Sequence, residues 1–150
     1  MAAGRRSAES MSSLVLCDTS VLVDQLRTGC YEERFKSMVG LVRSSSVVLA
    51  ELWRGASSRK DRDFLLQLER NHPILTPTEA NWLESGRLLG KIRAEKGIDA
   101  SKLRALHLDV LIALTARAYG ARLITSNRAD FQMIHRCRSF QLEMWPAPAR

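Results

Sequence analysis

Short apolar runs alternate along the chain with longer segments of helical periodicity. The apolar runs predict strands at residues 14–17, 41–43, 74–75, 122–125 and 140–142. The first run is apolar throughout, which is typical of a central parallel strand that is covered on both faces. Because strands and helices alternate, we expect right-handed crossovers, a parallel sheet and an α/β fold.

Helices are predicted between these strands, at residues 21–26, 32–39, 47–56, 61–70 and 109–119. The spacing of Thr76 and Glu79 is that of a capping box, with Pro77 at the first helical position. It predicts a further long helix that ends near Lys96. Residues 97–104 are basic and polar, and we expect them to form a connection.

The stretch from Asp109 to Phe131 combines a helix, a strand and two acids. Asp109 precedes an apolar run and is expected at the start of the helix, and Gly120 suits a left-handed C-cap. The strand follows, and Asp130 comes after it in a short helical turn. Since ligands bind outside the carboxyl ends of strands in open α/β sheets, Asp109 and Asp130 are expected to meet there.

A length of 150 residues suits one domain with a substantial core. We divide the chain into a flexible N-terminal extension at residues 1–13, a folded domain at 14–143 and a Pro-rich tail at 144–150. Met11, within the extension, is a second candidate for the natural start.

The chain is basic, with 23 Lys and Arg residues against 16 Asp and Glu residues and a net charge of +7. This excess suits a polyanion such as nucleic acid, although plain solubility explains it equally well. Its cysteines, Cys17, Cys30 and Cys137, are odd in number and form no CxxC pair, which favours reduced thiols in the cytoplasm. No apolar run is long enough to span a membrane.

Asp18, Glu51 and Asp109 lie inside apolar segments, where an ionised carboxylate is costly unless it is paired or bound to a cation. Each has a structural explanation when it is taken singly. Asp18 or Asp109 could cap a helix, and Glu51 could pair with Arg54. With Asp130 they can instead converge on one cleft, and converging carboxylates favour a hard divalent cation, Mg²⁺ or Mn²⁺.

Three blocks of the sequence resemble those of PIN-domain ribonucleases, and specifically of VapC-type toxins from toxin–antitoxin pairs. The blocks are LVLCDTSVLVD, SSVVLAELWRGA and DVLIALTARAYGARLITSNRADF, and they stand in the family's order. The resemblance covers residues 14–142 and assigns the folded domain at 14–143 to this family. It implies a PIN-like three-layer α/β/α sandwich with a central, mostly parallel sheet. Trp53, in the second block, stands where the family is variable.

The resemblance also implies a chemistry, which is Mg²⁺-dependent hydrolysis of RNA phosphodiester bonds by a metal-activated water, with Mn²⁺ able to substitute. The acids that match the family's four are Asp18, Glu51, Asp109 and Asp130. Asp18 and Asp109 would bind the metal directly. The other two acids would bind it directly or through water, bind a second ion, or orient the nucleophile. The matching polar helpers are Ser20, Thr125 and Asn127.

Membership of this family would bring an RNA substrate, a homodimer and a cognate antitoxin whose C-terminal segment enters the cleft. Apolar stripes at residues 35–39 and 64–68 are candidate surfaces for these protein partners. Basic side chains outside the pocket are candidates to contact the RNA backbone: Arg54, Lys91, Arg93, Lys96, Lys102 and Arg104.

Two functions of other classes stay open. One is a catalytically silent PIN-like module that binds RNA or protein, against which the presence of all four acids argues. The other is a Mg²⁺-dependent phosphatase. A phosphatase that forms an aspartyl phosphate needs a second acid two positions after the first, and Ser20 stands there instead.

Overall fold

The computed structural model describes residues 13–149, so the predicted extension lies outside the described residues except for Ser13. The strands are β1 (Leu14–Cys17), β2 (Leu41–Ser45), β3 (Ile74–Leu75), β4 (Arg122–Thr125) and β5 (Gln141–Met144). The helices are α1 (Thr19–Thr28), α2 (Glu32–Ser37), α3 (Ser46–Gly55), α4 (Arg59–Asn71), α5 (Glu79–Lys96), α6 (Ala100–Ala118) and α7 (Arg128–Cys137). None of these helices is long and apolar enough to cross a membrane.

A parallel sheet of five strands forms the centre of the domain, in the order β3-β2-β1-β4-β5. Strand β1 is therefore the middle strand of the sheet, paired with β2 on one side and β4 on the other. Because all five strands run the same way, their carboxyl ends meet at one edge. The predicted α/β class and parallel sheet are confirmed.

Successive side chains of the central strands point to opposite faces of the sheet. Leu16 and Leu123 pack into a large cluster with apolar residues of α3 to α7. Cys17 and Ile124 pack into a smaller cluster that includes the buried Trp145. The two cores on opposite faces account for the predicted three-layer sandwich. The tail predicted at residues 144–150 starts inside β5, and its Trp145 is anchored in the smaller core.

Two predictions about helix α6 are wrong: where it begins and where Asp109 lies along it. It begins at Ala100, and its N-cap Asp99 accepts a hydrogen bond from the backbone N–H of Lys102 at 2.9 Å. Residues 97–104 are therefore not simply a connection, and Asp109 lies in the middle of a 19-residue helix rather than at its start. The polar composition of this segment conceals the helical spacing of Leu103 and Leu106, both of which pack against the large core.

Helix α5 begins slightly later than predicted. Its N-cap is Thr78, which exchanges hydrogen bonds with Asn81 in a capping box, so the box does not join Thr76 and Glu79. An asparagine side chain fills here the role usually taken by Glu or Gln. The predicted end of this helix at Lys96 is confirmed. At the end of α6, the positive φ expected of Gly120 is also confirmed, at 66°.

Candidate functional site

Four acids face one another at the carboxyl edge of the sheet. Asp18 follows β1, Glu51 and Asp109 lie within α3 and α6, and Asp130 lies in the first turn of α7. The negative charges of the other three each raise the pKa of Asp109, which requires all four to lie within electrostatic range. The structure thus brings together the four predicted acids, while their catalytic roles stay predictions. We call these four residues the acidic cluster.

Asp18 is held in one orientation by two hydroxyl groups. The residue is 3% exposed, and its Oδ2 accepts hydrogen bonds from Thr125 Oγ1 at 2.8 Å and from Ser20 Oγ at 2.9 Å. Burial raises the pKa of Asp18, and the two hydroxyl donors act in the opposite direction by favouring the ionised form. Both residues were predicted as helpers, and both contact the acid that they were expected to support.

Each hydroxyl is itself positioned by the turn after β4. The backbone N–H of Asn127 donates to Thr125 Oγ1 at 3.0 Å, and Ser126 Oγ donates to Ser20 Oγ at 3.0 Å. Two short hydrogen-bond relays therefore converge on a single oxygen of Asp18. Ser126 was not among the predicted helpers, and its position directly after β4 is the only sequence signal for it.

Glu51 is half-buried and accepts a hydrogen bond from Thr19 Oγ1 at 3.1 Å. Burial is the main reason that its pKa is raised, and the charge of Asp18 raises it further. The nearby charge of Arg54 lowers the pKa of Glu51. The Glu51 carboxylate and the Arg54 guanidinium nevertheless form no ion pair with each other. Thr19 was missed from the sequence, although a hydroxyl next to Asp18 was a usable signal.

Asp109 is the least compensated of the acids. Burial is the largest cause that raises its pKa to about 8, followed by the charges of Asp18, Asp130 and Glu51. In the part of the chain that the structure describes, its carboxylate makes no hydrogen bond and no ion pair. An ionised carboxylate in this position needs a cation, so Asp109 is the residue at which metal binding would bring the largest gain.

Asp130 differs from the other three because it has a cationic partner. Lys102 Nζ lies 2.9 Å from each of its two carboxylate oxygens, and Asn127 Nδ2 donates to Oδ2 at 3.1 Å. Lys102 was predicted to lie outside the pocket, and this is wrong. It belongs to α6, two helical turns before Asp109, and therefore shares that residue's face of the helix.

The donor set fits a hydrated divalent ion. Carboxylate and hydroxyl oxygens are the ligands that Mg²⁺ prefers, and Asp18, Glu51 and Asp109 have no cationic partner within residues 13–149. Within residues 13–149, no group of three or more Asp, Glu, His or Cys side chains is arranged so that together they could hold a metal ion. Mg²⁺ usually keeps several waters and binds proteins through only one or two carboxylates, so a site for it does not need three protein ligands.

Known proteins resemble the chain both in sequence and in fold. Residues 15–135 match the family model for the PIN domain. One similar structure is a chain of VapBC2 from Rickettsia felis, which was solved bound to a DNA fragment from the VapBC2 promoter. It is 25% identical with a TM-score of 0.62, and the match covers 88% of this chain and 98% of that one. The sequence matches no curated protein.

Two further structures resemble the fold. DNA-bound VapBC from Salmonella typhimurium is 23% identical with a TM-score of 0.62, and the match covers 90% of this chain and 99% of that one. VapBC-1 from nontypeable Haemophilus influenzae is 22% identical with a TM-score of 0.66, over 88% of this chain and 98% of that one. At such identities the likeness concerns the fold.

Proposed function

Since this chain belongs to the PIN-domain family, we propose that it is a Mg²⁺-dependent endoribonuclease and the toxin of a toxin–antitoxin pair. The observation that carries the proposal is the acidic cluster, in which three of the four carboxylates have no cationic partner within residues 13–149. A site built to stabilise the fold alone would pair these charges, because unpaired carboxylates that are wholly or partly removed from water destabilise a folded protein.

Each acid of the cluster has a part in this proposal. A bound Mg²⁺ would lower the pKa of a water molecule and neutralise negative charge on the phosphate. Asp18, fixed by its two hydroxyl donors, and Asp109, which makes no hydrogen bond or ion pair within residues 13–149, would hold the ion. Glu51 is oriented by Thr19, and its raised pKa suits it to accept the proton of the attacking water.

The charge of the surface supports a nucleic acid substrate. Five of the six predicted RNA-contacting residues remain candidates, and all five are exposed: Arg54, Lys91, Arg93, Lys96 and Arg104. Arg54 lies one helical turn from Glu51 and is therefore the nearest of them along the chain to the acidic cluster. Basic side chains in such positions release counterions when they contact phosphates, so binding should weaken as salt rises.

An antitoxin partner is supported by an apolar cavity and by the solved structures of similar fold, which are structures of VapBC proteins. The cavity has a volume of about 300 Å³, and the two predicted apolar stripes line it together, through Phe35 and Met38 on one side and Phe64 and Leu68 on the other. We propose that an apolar helix of the antitoxin binds there. Co-purification with the product of an adjacent short reading frame, lost on Phe64→Asp but kept on the exposed Leu66→Asp, tests this.

We also propose that the chain forms a homodimer. Trp82 and Leu83 of α5 are 52% and 56% exposed, which is a large apolar area for adjacent residues of a helix. Sedimentation of the purified chain tests this, and a stable monomer at micromolar concentration would count against the dimer.

Cleavage of RNA by the purified chain tests the enzymatic proposal. We expect cleavage with Mg²⁺ or Mn²⁺, none with a chelator and none in Asp109→Asn. Asp63→Asn, the same change at an exposed acid of α4, should keep full activity. Cleavage that survives the chelator or Asp109→Asn would contradict the proposal. RNA bound without cleavage would favour the silent module, and phosphate released from a monoester without RNA cleavage would favour the phosphatase.

A further inference from the structure

Lys102 places a fixed positive charge inside the acidic cluster. Its ammonium nitrogen lies 2.9 Å from Oδ1 and 2.9 Å from Oδ2 of Asp130, so it contacts both oxygens of one carboxylate. The side chain of Asp130 is 18% exposed and that of Lys102 is 45% exposed. The same ammonium also opposes the rise in the pKa of Asp109, and it is therefore close enough to act on two acids of the cluster.

The position of this lysine is set by a regular helix rather than by a mobile loop. Lys102 and Asp109 are seven residues apart in α6, which is two helical turns, so both side chains leave the same face. The first turn of this helix is fixed because Asp99 accepts the backbone N–H of Lys102. A lysine ammonium is a compact point charge with three donors, and two of them are used on Asp130.

The lysine divides the cluster into two unequal parts. Asp18 and Glu51 accept from hydroxyl donors, and Asp109 makes no hydrogen bond or ion pair within residues 13–149, whereas both oxygens of Asp130 already accept from a cation. A site with two metal ions holds them about 3.5–4 Å apart and needs carboxylates that are available to both. While Lys102 is bound, both carboxylate oxygens of Asp130 are in contact with its ammonium group.

We propose that the Lys102 ammonium takes the place of a second divalent cation, so that the cluster binds one metal ion through Asp18 and Asp109 while Asp130 holds the lysine. This inference rests on the nuclease proposed above, and it assigns Asp130 a different part from the metal ligand that was predicted. The lysine then contributes the second positive charge that the phosphate would otherwise receive from a metal.

The number of Mn²⁺ ions bound per chain tests this inference, and it can be measured by titration calorimetry or by the electron paramagnetic resonance of free Mn²⁺. We expect one ion in the wild type and one in Lys102→Arg, which keeps the charge. Lys102→Met has a similar length and no charge, and it should admit a second, weaker ion beside Asp130. Lys60→Met, at an exposed lysine of α4, should bind one ion.

Two ions in the wild type, or only one in Lys102→Met, would overturn the inference. RNA cleavage measured on the same samples separates this outcome from failure of the nuclease proposal. A wild type that binds two ions and cleaves RNA contradicts only the role of Lys102. A wild type that binds no Mn²⁺ and leaves RNA intact contradicts both. Thermal unfolding of each variant checks whether it is folded, so that a changed ion count is not mistaken for the effect of unfolding.

Discussion

The hydroxyl of Thr125 donates to Oδ2 of Asp18 at 2.8 Å and thereby joins the carboxyl ends of two adjacent parallel strands. The two residues are 107 positions apart in the chain. Their contact depends on the register of β1 and β4, in which Cys17 lies beside Ile124. The orientation of the first acid of the cluster is thus a direct product of strand pairing.

Thr125→Val should weaken metal binding. The variant keeps the size of the buried side chain but removes the donor to Asp18, and loss of such an outer partner typically lowers metal affinity by about 10–100-fold. Calorimetric titration with Mn²⁺ measures this. Thr115→Val is a matched control, because Thr115 is also buried but its hydroxyl donates to Leu111 O within α6. Equal losses of affinity in both variants would contradict the assigned role.

Thr19→Val should slow RNA cleavage while leaving substrate binding nearly unchanged. Glu51 would lose its only hydroxyl donor within residues 13–149, and roughly a tenfold fall in kcat at constant KM is expected for a misoriented outer group. Steady-state kinetics on a short RNA measure the two constants. Thr28→Val removes an exposed hydroxyl at the other end of α1 and should leave kcat unchanged. A higher KM at unchanged kcat in Thr19→Val would indicate a binding role instead.

The acidic cluster should contribute a loss of stability to the metal-free protein as the pH rises from about 4 to about 8. Folding raises the pKa of Asp109 to about 8. Over this range the folded chain retains a proton that the unfolded chain has released, so the free energy of unfolding falls with pH. The raised pKa values of Asp18 and Glu51 act in the same direction. Urea denaturation in the presence of a chelator, repeated across this range, measures the slope.

Asp109→Asn should flatten that slope and raise the free energy of unfolding at pH 8 by roughly 1–3 kcal/mol, since one pKa unit corresponds to about 1.4 kcal/mol and water near the site reduces the effect. Mn²⁺ should stabilise the wild type but not this variant. The exposed Asp63→Asn should follow the wild type at every pH. A metal-free wild type whose stability rises from pH 4 to 8 more steeply than that of Asp109→Asn would contradict the burial assigned to this acid.

Asp99→Ala should destabilise the helix that carries both Lys102 and Asp109. Removal of an N-cap acceptor costs about 1 kcal/mol, and the loss should appear as a lower free energy of unfolding in urea. Asp99→Asn keeps an acceptor at the cap and should retain most of the stability. If the alanine and asparagine variants are equally stable, the cap does not define the start of α6.

Much of the fold could be predicted from the sequence because the signals were local. The apolar run at β1 is continuous, since this strand is covered on both faces, and Gly120 marks the end of α6 by its positive φ. The start of α6 was missed because only Leu103 and Leu106 mark its buried side, among polar and basic neighbours. Asp109 was therefore misplaced at a helix start.

The four acids could be selected from the sequence because three of them interrupt apolar segments and all match the blocks of a family. Their partners could not be selected in the same way. The contact of Thr19 with Glu51 depends on how α1 packs beside α3, and that of Lys102 with Asp130 depends on the crossing of α6 and α7. The position of Thr19 beside Asp18 marks it as a candidate helper, but the sequence does not show that its partner is Glu51, and nothing local in the sequence points from Lys102 to Asp130.

The location of a bound metal tests the central claim, and a crystal soaked in Mn²⁺ gives it through the anomalous signal of the ion. We expect a peak between the carboxylates of Asp18 and Asp109, with Lys102 still on Asp130. A fully soaked crystal with no peak in the acidic cluster, or with a peak elsewhere and both carboxylates without a ligand, would contradict the account.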